Sequence, residues 1–181
     1  MVLGTIEVVT SDASSGRCPL VRRARADDAA ALVRLRAVMF EDMGVPVGTT
    51  DAPWRGAAEA WFRGNLQRPD HFAAFVVEDP VTGAVSAACG ICDARAPGPR
   101  GLSGVRGHVF SVATEPEHRR RGHARACLTA LLSWFHDDTA AEAVELAATP
   151  DGAQLYTALG FREHGHPTMR LGLHTTTEVL L

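Results

Sequence analysis

The segment of residues 108–149 restricts the fold most, because its pattern changes from strand to helix and back to strand. HVFSVAT at 108–114 and AVELAAT at 143–149 are typical of strands. Between them, apolar residues recur at the spacing of one helix face: Ala124, Cys127, Leu128, Leu131, Leu132 and Phe135. A helix that links two neighbouring strands makes them parallel, so the segment predicts a parallel crossover in an α/β protein.

The rest of the chain adds further strands and helices to this crossover. Asp27 is predicted to be the N-cap of a first helix that stops at Gly44, and Asp51 with Pro53 is predicted to open a second helix. The other predicted elements are a strand at 20–25, an antiparallel hairpin of strands at 72–78 and 84–92, a short helix at 152–160 and a final strand at 169–173. The predicted fold class is therefore α/β (α+β), a mixed sheet flanked by helices.

The length of 181 residues suits a single domain with one core. We expect this domain over residues 19–174, with a mobile arm at 1–18 and a tail at 175–181. The net charge of −3 argues against nucleic acid and anionic lipid as partners. No apolar run reaches the roughly 20 residues of a membrane span, and the first residues lack the pattern of a secretion signal. We therefore expect a cytoplasmic protein with no membrane partner.

The cysteines and histidines do not form a recognisable metal site. A chain of this size does not need disulfides, so we expect reduced thiols at Cys18, Cys89, Cys92 and Cys127. The CGIC motif at 89–92 lies in an apolar run without a second ligand pair at zinc spacing, which predicts residues of a core strand. The HGH motif at 164–166 lacks a third ligand and is predicted to be a turn, so we expect no metal.

The stretch EHRRRGHARACL at 117–128 places three arginines and a glycine directly before the amphipathic helix. The first turn of a helix has unpaired backbone N–H groups and carries about half a positive charge, which makes it a site for anions. Gly122 allows close approach of a ligand to the backbone, and the arginines add positive charge. A diphosphate fits these properties.

Two motifs in this order resemble the GCN5-related N-acetyltransferase (GNAT) family. Arg119, Gly122 and Ala124 form R-x-x-G-x-A between a strand and a helix, and LYTALGF at 155–161 contains Tyr-x-x-x-Gly-Phe. The resemblance covers roughly residues 20–173. It implies a splayed mixed sheet in which the strand end FSVAT, residues 110–114, bulges away from the next strand and leaves main-chain groups free.

The resemblance also implies acetyl-CoA as co-substrate and assigns residues to its binding. The pantetheine arm would bind main-chain groups of Val112, Ala113 and Thr114, and the N–H of Val112 or Ala113 would polarise the thioester carbonyl. Many family members have an asparagine at a place where this chain has Thr149 or Asp151, and Thr149 would be a further pantetheine contact here. The pyrophosphate would lie against the loop residues Arg119, Arg120, Arg121, Gly122, His123 and Ala124.

The chemistry that the family resemblance implies is direct attack of a primary amine on the thioester. Tyr156 would protonate the departing thiolate, or mainly donate a hydrogen bond to it, because a tyrosine pKa of about 10 exceeds a thiol pKa of about 8.5. The candidates for the general base are Glu78, His108, Glu115, Glu41 and Asp42.

The segment between the first two helices usually lines the acceptor site in this family. Here that segment contains Glu41 and Asp42, which would suit a cationic amine. The leading hypothesis is an N-acetyltransferase that acts on a primary amine of a small molecule. The alternative is a catalytically inactive module that binds or senses acyl-CoA, and the sequence leaves a homodimer open.

Overall fold

The structure is a computed structural model that describes residues 20–99, 101–163, 165, 168–169 and 171 of the chain. It divides into two compact units, one up to Ala147 and one from Ala148 onward, which we call the first and the second unit. The predicted bounds of the domain, its arm and its tail stay predictions. The arm, Cys18 and the two histidines of the HGH motif lie outside the described residues.

The first unit contains a five-stranded mixed sheet with the strand order β1-β2-β3-β4-β5. Strands β1 to β4 pair antiparallel, whereas β4 and β5 pair parallel, which confirms the predicted crossover. The strands are β1 Val21–Arg23, β2 Phe72–Asp79, β3 Gly83–Ala94, β4 Val105–Thr114 and β5 Val144–Glu145. The strand β5 is thus much shorter than the predicted strand at 143–149. Met169 and Leu171, from the predicted final strand at 169–173, lie in no strand, and the other residues of that range lie outside the described ones.

The helices follow the predicted apolar patterns, with one correction at the first helix. They are α1 Ala29–Asp42, α2 Pro53–Asn65, α3 His123–Asp137 and, in the second unit, α4 Pro150–Ala158. The prediction of Asp27 as N-cap was wrong, because a 3₁₀ turn at Ala26–Asp28 precedes α1 and Asp28 occupies the N-cap position. The Asp28 carboxylate accepts the Arg25 N–H at 2.6 Å and pairs with Arg22 at 2.7 Å. No helix in the described part of the chain has the length and apolarity that a membrane crossing requires.

The core lies on both faces of the sheet. On one face, Phe72, Ala74 and Val76 of β2 belong to the same buried cluster as Leu32 and Leu35 of α1. These strand residues are two positions apart, which is the period that places side chains on one face of a strand. The buried side chains of α3 pack on the other face: Cys127, Leu128, Leu131, Trp134 and Phe135.

Two strand glycines allow α3 to approach the sheet closely. A Cβ atom at Gly90 or at Gly107 would lie 2.6 Å from the ring of Phe135. Real Cβ atoms do not approach other atoms so closely, so the ring occupies the space that side chains at these positions would fill. The small residues on β3 and β4 therefore set the depth at which α3 packs.

We expect Gly107→Ala to destabilise the protein by about 1–3 kcal/mol, because the new methyl group overpacks the contact with Phe135. Urea unfolding measures this change. Phe135→Leu shortens the opposing side chain, so the double variant should lose less stability than the sum of the two single variants. Additive losses would show that the two residues do not compete for the same space.

The cysteines of CGIC are core residues of β3, as predicted. Cys89 and Cys92 are buried, as is Cys127 of α3, and all three are free thiols. Burial raises the pKa of Cys89 to about 12 and that of Cys127 to about 12. Thiols that resist ionisation in this way are poor nucleophiles, so these cysteines have a packing role.

Candidate functional site

Strand β4 has an edge that β5 covers only at its beginning. The pairing of β4 with β5 consists of Gly107 with Val144 and His108 with Glu145. Over residues 109–114, β4 pairs with β3 alone among the described residues. The sheet therefore opens between β4 and β5, and main-chain groups along this part of β4 are available for a ligand.

A β-bulge distorts β4 within this open edge. The register with β3 shifts between Ala87 and Cys89, so that Ser111 and Val112 together lie opposite Ala88. Ser111 adopts the left-handed backbone conformation with φ of +48°. This conformation costs a non-glycine residue roughly 1–2 kcal/mol, and a bulge turns the strand away from its regular direction.

Arg36 of α1 holds the bulge from the helix side. Its guanidinium donates a hydrogen bond to the hydroxyl of Ser111, which is 4% exposed. A hydrogen bond from a charged donor contributes about 1.5–3 kcal/mol, which is enough to offset the strain of the left-handed residue. The bulge is therefore a stable feature of the strand.

The hydrogen bonds around the bulge define the direction of its main chain. The Glu115 N–H donates to the Val85 carbonyl at 2.8 Å, and the Ala113 carbonyl accepts from the Ser86 hydroxyl at 3.0 Å. Ala113 and Glu115 therefore face β3. Because main-chain groups alternate along a regular strand, those of Thr114 face the open edge, and the Thr114 carbonyl there accepts from Arg119 at 3.1 Å.

The arginine loop joins β4 to α3 and contains two left-handed residues. Arg120 has φ of +62° and Gly122, the N-cap of α3, has φ of +79°. No side chain caps the helix at Gly122. Within the described ranges, the N–H groups of residues 120–125 have no hydrogen-bond acceptor. A Cβ atom built at Gly122 would meet no other atom within 4 Å, so open space lies in front of the glycine. This loop can bind an anion through several N–H groups at once.

The arginines of the loop differ in whether their guanidinium groups are already bound to other residues. Arg119 donates to the Thr114 carbonyl at 3.1 Å and pairs with Asp42 at 2.7 Å. Arg120 and Arg121 form no ion pair with any described residue.

The Nδ1 atom of His123 is buried and has no hydrogen-bond partner among the described residues. Burial, with the nearby charges of His118 and Arg121, lowers the pKa of His123, so this imidazole is neutral at pH 7.

A cavity of about 360 Å³ lies on the face of the sheet that α1 and α2 cover. Its lining residues are Arg36, Ala58, Trp61, Phe62, Ile91, His108 and Phe110. His108, one of the predicted bases, stacks on Phe110 with ring centroids 6.2 Å apart. Glu41 and Asp42, predicted to bind the acceptor, do not line this cavity and are exposed.

Three of the predicted bases on the first unit are engaged in ion pairs, and one of them is Asp42, which pairs with Arg119. Glu78, near the end of β2, pairs with Arg22, whose hydrogen bond lowers the pKa of Glu78. A carboxylate with a lowered pKa is a weaker base. Glu115 pairs with Arg34. His108 is the predicted base that the structure brings to the cavity, and it forms no ion pair with a described residue.

The second unit contains Thr149 and Tyr156. Thr149 is the N-cap of α4, and its hydroxyl accepts the Gly152 N–H at 3.3 Å. Tyr156 packs edge-on against Phe161, the last residue of its motif, with ring centroids 6.0 Å apart. Burial raises the pKa of Tyr156, so the phenol stays protonated at neutral pH and can donate a hydrogen bond.

The sequence interpretation missed Arg36, Trp61 and Phe110 as candidate site residues. A signal for Arg36 was present, because it follows Leu32 by four positions and therefore lies beside the apolar face of α1. An arginine at such a position is a candidate for a buried polar contact. The aromatic residues carried no such signal, since aromatic residues on apolar faces are typical of any core.

Comparison with known proteins identifies the family. The model of the acetyltransferase (GNAT) family matches residues 30–161, which is most of the chain. No curated protein sequence matches the chain. The protein therefore belongs to the GNAT family and is an acetyltransferase. The predicted family and its mixed-sheet fold are confirmed.

Solved structures show the same fold at low sequence identity. A predicted acetyltransferase with acetyl-CoA from Clostridium acetobutylicum has a TM-score of 0.74 at 20% identity, over 86% of this chain and 97% of that one. A GCN5-related N-acetyltransferase from Ralstonia eutropha JMP134 has a TM-score of 0.72 at 21% identity, over 85% and 99%. Glucosamine-6-phosphate N-acetyltransferase from Arabidopsis thaliana has a TM-score of 0.66 at 11% identity, over 86% and 99%.

Proposed function

We propose that the protein transfers the acetyl group of acetyl-CoA to a primary amine of a small molecule by direct attack of the amine. The observation that carries this proposal is the row of N–H groups without an acceptor at residues 120–125, directly after the open edge of β4. The structural relative from Clostridium acetobutylicum was solved with acetyl-CoA, which supports the same co-substrate here. A row of free N–H groups beside a free strand edge fits a molecule with a diphosphate and an amide-containing arm.

The arginine loop supplies the grip on the diphosphate. The helix dipole contributes only about 0.3–1 kcal/mol to anion binding, whereas micromolar affinity requires about 8 kcal/mol. The N–H groups of residues 120–125 and the unpaired Arg120 and Arg121 therefore provide most of the interaction through charge-assisted hydrogen bonds. Arg119 stays paired with Asp42 and acts mainly to shape the loop.

The open edge of β4 positions the thioester. Main-chain groups of Val112 and Thr114 form hydrogen bonds to the pantetheine arm as an added strand would. The Val112 N–H donates to the thioester carbonyl, where negative charge develops when the amine attacks. The carbon to nitrogen bond forms while the bond from carbon to sulfur breaks, and the electron pair of that bond leaves with the sulfur.

His108 receives the proton of the amine in this proposal, directly or through water. An amine near pKa 10.4 must lose a proton at a cost of about 4.6 kcal/mol at pH 7, so a base accelerates the reaction. His108 lines the cavity, whereas Glu78 is held by Arg22. Tyr156 has the role that the family resemblance gives it, as a hydrogen-bond donor to the departing thiolate.

A thiol-release assay with acetyl-CoA and a panel of primary amines tests the proposed function. Turnover with at least one amine supports it. Binding of CoA without any turnover would instead favour the inactive acyl-CoA-binding module.

The free thiols Cys89, Cys92 and Cys127 fit a reducing compartment, so we place the protein in the cytoplasm. The absence of nucleic-acid partners and the homodimer stay predictions.

We expect His108→Gln to lower kcat/KM for an alkylamine about 100-fold at pH 7. The loss should shrink toward pH 10, where the amine is increasingly deprotonated without help. A profile of kcat/KM against pH, for wild type and variant, measures the loss at pH 7 and the loss near pH 10. His136, exposed near the end of α3, supplies the control His136→Gln, which should behave as wild type. An equal loss at both pH values would mean that His108 only supports the packing of Phe110.

A further inference from the structure

Arg36 is a partly buried arginine for which no carboxylate partner exists among the described residues. A guanidinium has five N–H donors. One nitrogen, Nη1, donates to the Ser111 hydroxyl, and no other protein acceptor is present in the described ranges. Burial lowers the pKa of Arg36, which means that its charge is incompletely compensated. Buried charges in proteins are normally paired, so the guanidinium has room for an anion.

The hydrogen bond to the Ser111 hydroxyl does not by itself explain why position 36 has an arginine. A hydroxyl needs only one donor, which a neutral side chain could supply. The guanidinium also lies over the Phe40 ring, 4.6 Å from its centroid, which fixes the plane of the group. A fixed guanidinium plane presents its remaining donors in the fork geometry that matches a carboxylate. Among the residues that the structure describes, no carboxylate side chain lines the cavity to compete for these donors.

The position of Arg36 in the cavity bears on how far apart the carboxylate and the amine of a bound acceptor would lie. Arg36 contacts Ser111, and the next residue, Val112, is the one whose N–H is proposed to donate to the thioester carbonyl. A carboxylate bound by Arg36 would therefore lie near the amine that attacks the thioester. An α-amino acid has this spacing, because the amine and the carboxylate share one carbon.

Apart from His108, the proposed base, the remaining lining of the cavity is apolar and aromatic. Trp61 packs edge-on against Phe110 with ring centroids 6.0 Å apart, and Ile91 and Ala58 add aliphatic surface. A pocket of this size with one charged group and aromatic walls suits an apolar group attached to an ionic one. A single arginine balances the one negative charge of a carboxylate. It would leave about one negative charge of a phosphate group unbalanced.

We propose that the acceptor is an α-amino acid with an apolar or aromatic side chain, whose carboxylate binds Arg36 while its side chain occupies the cavity. This proposal rests on the proposed acetyl transfer. It differs from the cationic amine that Glu41 and Asp42 suggested, since neither of these residues lines the cavity. Arg36 is thus a specificity-determining residue, and the negative charge of the acceptor is what it recognises.

The first experiment measures product binding, so that it does not depend on turnover. Calorimetry compares N-acetyl-phenylalanine with N-acetyl-phenylalaninamide, which differ in charge but hardly in size. We expect the wild type to bind the carboxylate about 10- to 100-fold more tightly. Arg36→Met should abolish this preference while the amide binds as before. Arg63, which pairs with Glu59 on the surface of α2, supplies the control Arg63→Met, in which the preference should persist.

The second experiment measures turnover of phenylalanine and phenylalaninamide, at a pH above the pKa of both amines. We expect kcat/KM to favour phenylalanine in the wild type and this preference to disappear in Arg36→Met, mainly through KM. Arg36→Lys keeps the positive charge but lacks the paired N–H donors of a guanidinium, so it should retain part of the preference for phenylalanine. This variant also provides a test if Arg36→Met does not fold.

The outcomes separate this proposal from the proposed function. Equal binding of the two products by the wild type, or no binding of the carboxylate, overturns the assignment of Arg36 even if other amines are acetylated. An equal loss for both probes in Arg36→Met and Arg36→Lys also overturns it, since it would indicate support of the bulge alone. A carboxylate preference that requires Arg36, without turnover of any amine, would leave the pocket assignment valid and contradict the acetyl transfer.

Discussion

Gly122→Val is expected to weaken the binding of CoA at least 100-fold, which corresponds to about 2.7 kcal/mol. Gly122 has φ of +79°, a conformation in which a β-branched residue is a genuine outlier. Valine would therefore force the loop into another backbone path and turn the N–H groups of residues 120–125 away from a common ligand. Because these groups provide most of the proposed grip on the diphosphate, the affinity for CoA should fall. Calorimetry with CoA measures this change.

A second glycine with the same geometry separates the loss of the anion site from general strain. Gly83, the first residue of β3 directly after the turn from β2, has φ of +77°, and a Cβ atom there would also meet no other atom within 4 Å. Gly83→Val should therefore lower the free energy of unfolding by a similar amount while the affinity for CoA stays unchanged. Normal CoA affinity in Gly122→Val, or an equal loss in both variants, would contradict the assignment of the arginine loop.

The parts of the fold that the sequence predicted well are those in which local pattern and burial agree. The apolar positions of α3 repeat over four turns and lie against the sheet, so the crossover was visible in the residues alone. The helix start at Asp28 was placed one residue early, because Asp27 and Asp28 are both good N-caps. In the structure the Asp28 carboxylate accepts the Arg25 N–H and pairs with Arg22, and the identity of the two neighbouring aspartates does not reveal these contacts.

The bulge and the cavity depend on contacts between distant residues and were beyond reach of local pattern. Nothing in FSVAT indicates that Ser111 adopts a left-handed backbone, because this follows from the register with β3 and from the hydrogen bond of Arg36, 75 residues away. The same holds for β5, where pairing stops after Glu145 although the apolar pattern continues. The motif around Gly122, in contrast, is local, and the loop geometry agrees with what its residues suggested.

The pairing of Arg119 with Asp42 also shows why charges read from sequence are hard to assign. Each residue was predicted for a different ligand, one for the diphosphate and one for the amine, yet they bind each other at 2.7 Å. An ion pair between exposed groups contributes little to stability. Its effect here is to connect the end of α1 with the arginine loop.

Tyr156→Phe is expected to lower kcat about 100-fold while the affinity for CoA stays within about twofold of wild type, because removal of one donor to developing charge typically costs 10²–10³ in rate. Full proton transfer from a tyrosine near pKa 10 to a thiolate near 8.5 is uphill by about 2 kcal/mol. Burial raises the pKa of Tyr156 further. We therefore expect Tyr156 to act as a hydrogen-bond donor to the thiolate rather than as a complete acid. Steady-state thiol release and calorimetry with CoA measure the two quantities.

The structure provides a neighbouring control for Tyr156→Phe. Thr157 follows it on α4, and its hydroxyl donates to the Ala153 carbonyl at 2.9 Å on the exposed side of the helix. Thr157→Val should leave kcat unchanged, since it alters only this local bond. The Tyr156 hydroxyl has no acceptor among the described residues, so Tyr156→Phe should change the free energy of unfolding by less than about 0.5 kcal/mol. A lower kcat in a stable variant would then be a catalytic effect, whereas an unchanged kcat would remove Tyr156 from the mechanism and leave the developing charge on sulfur to solvent.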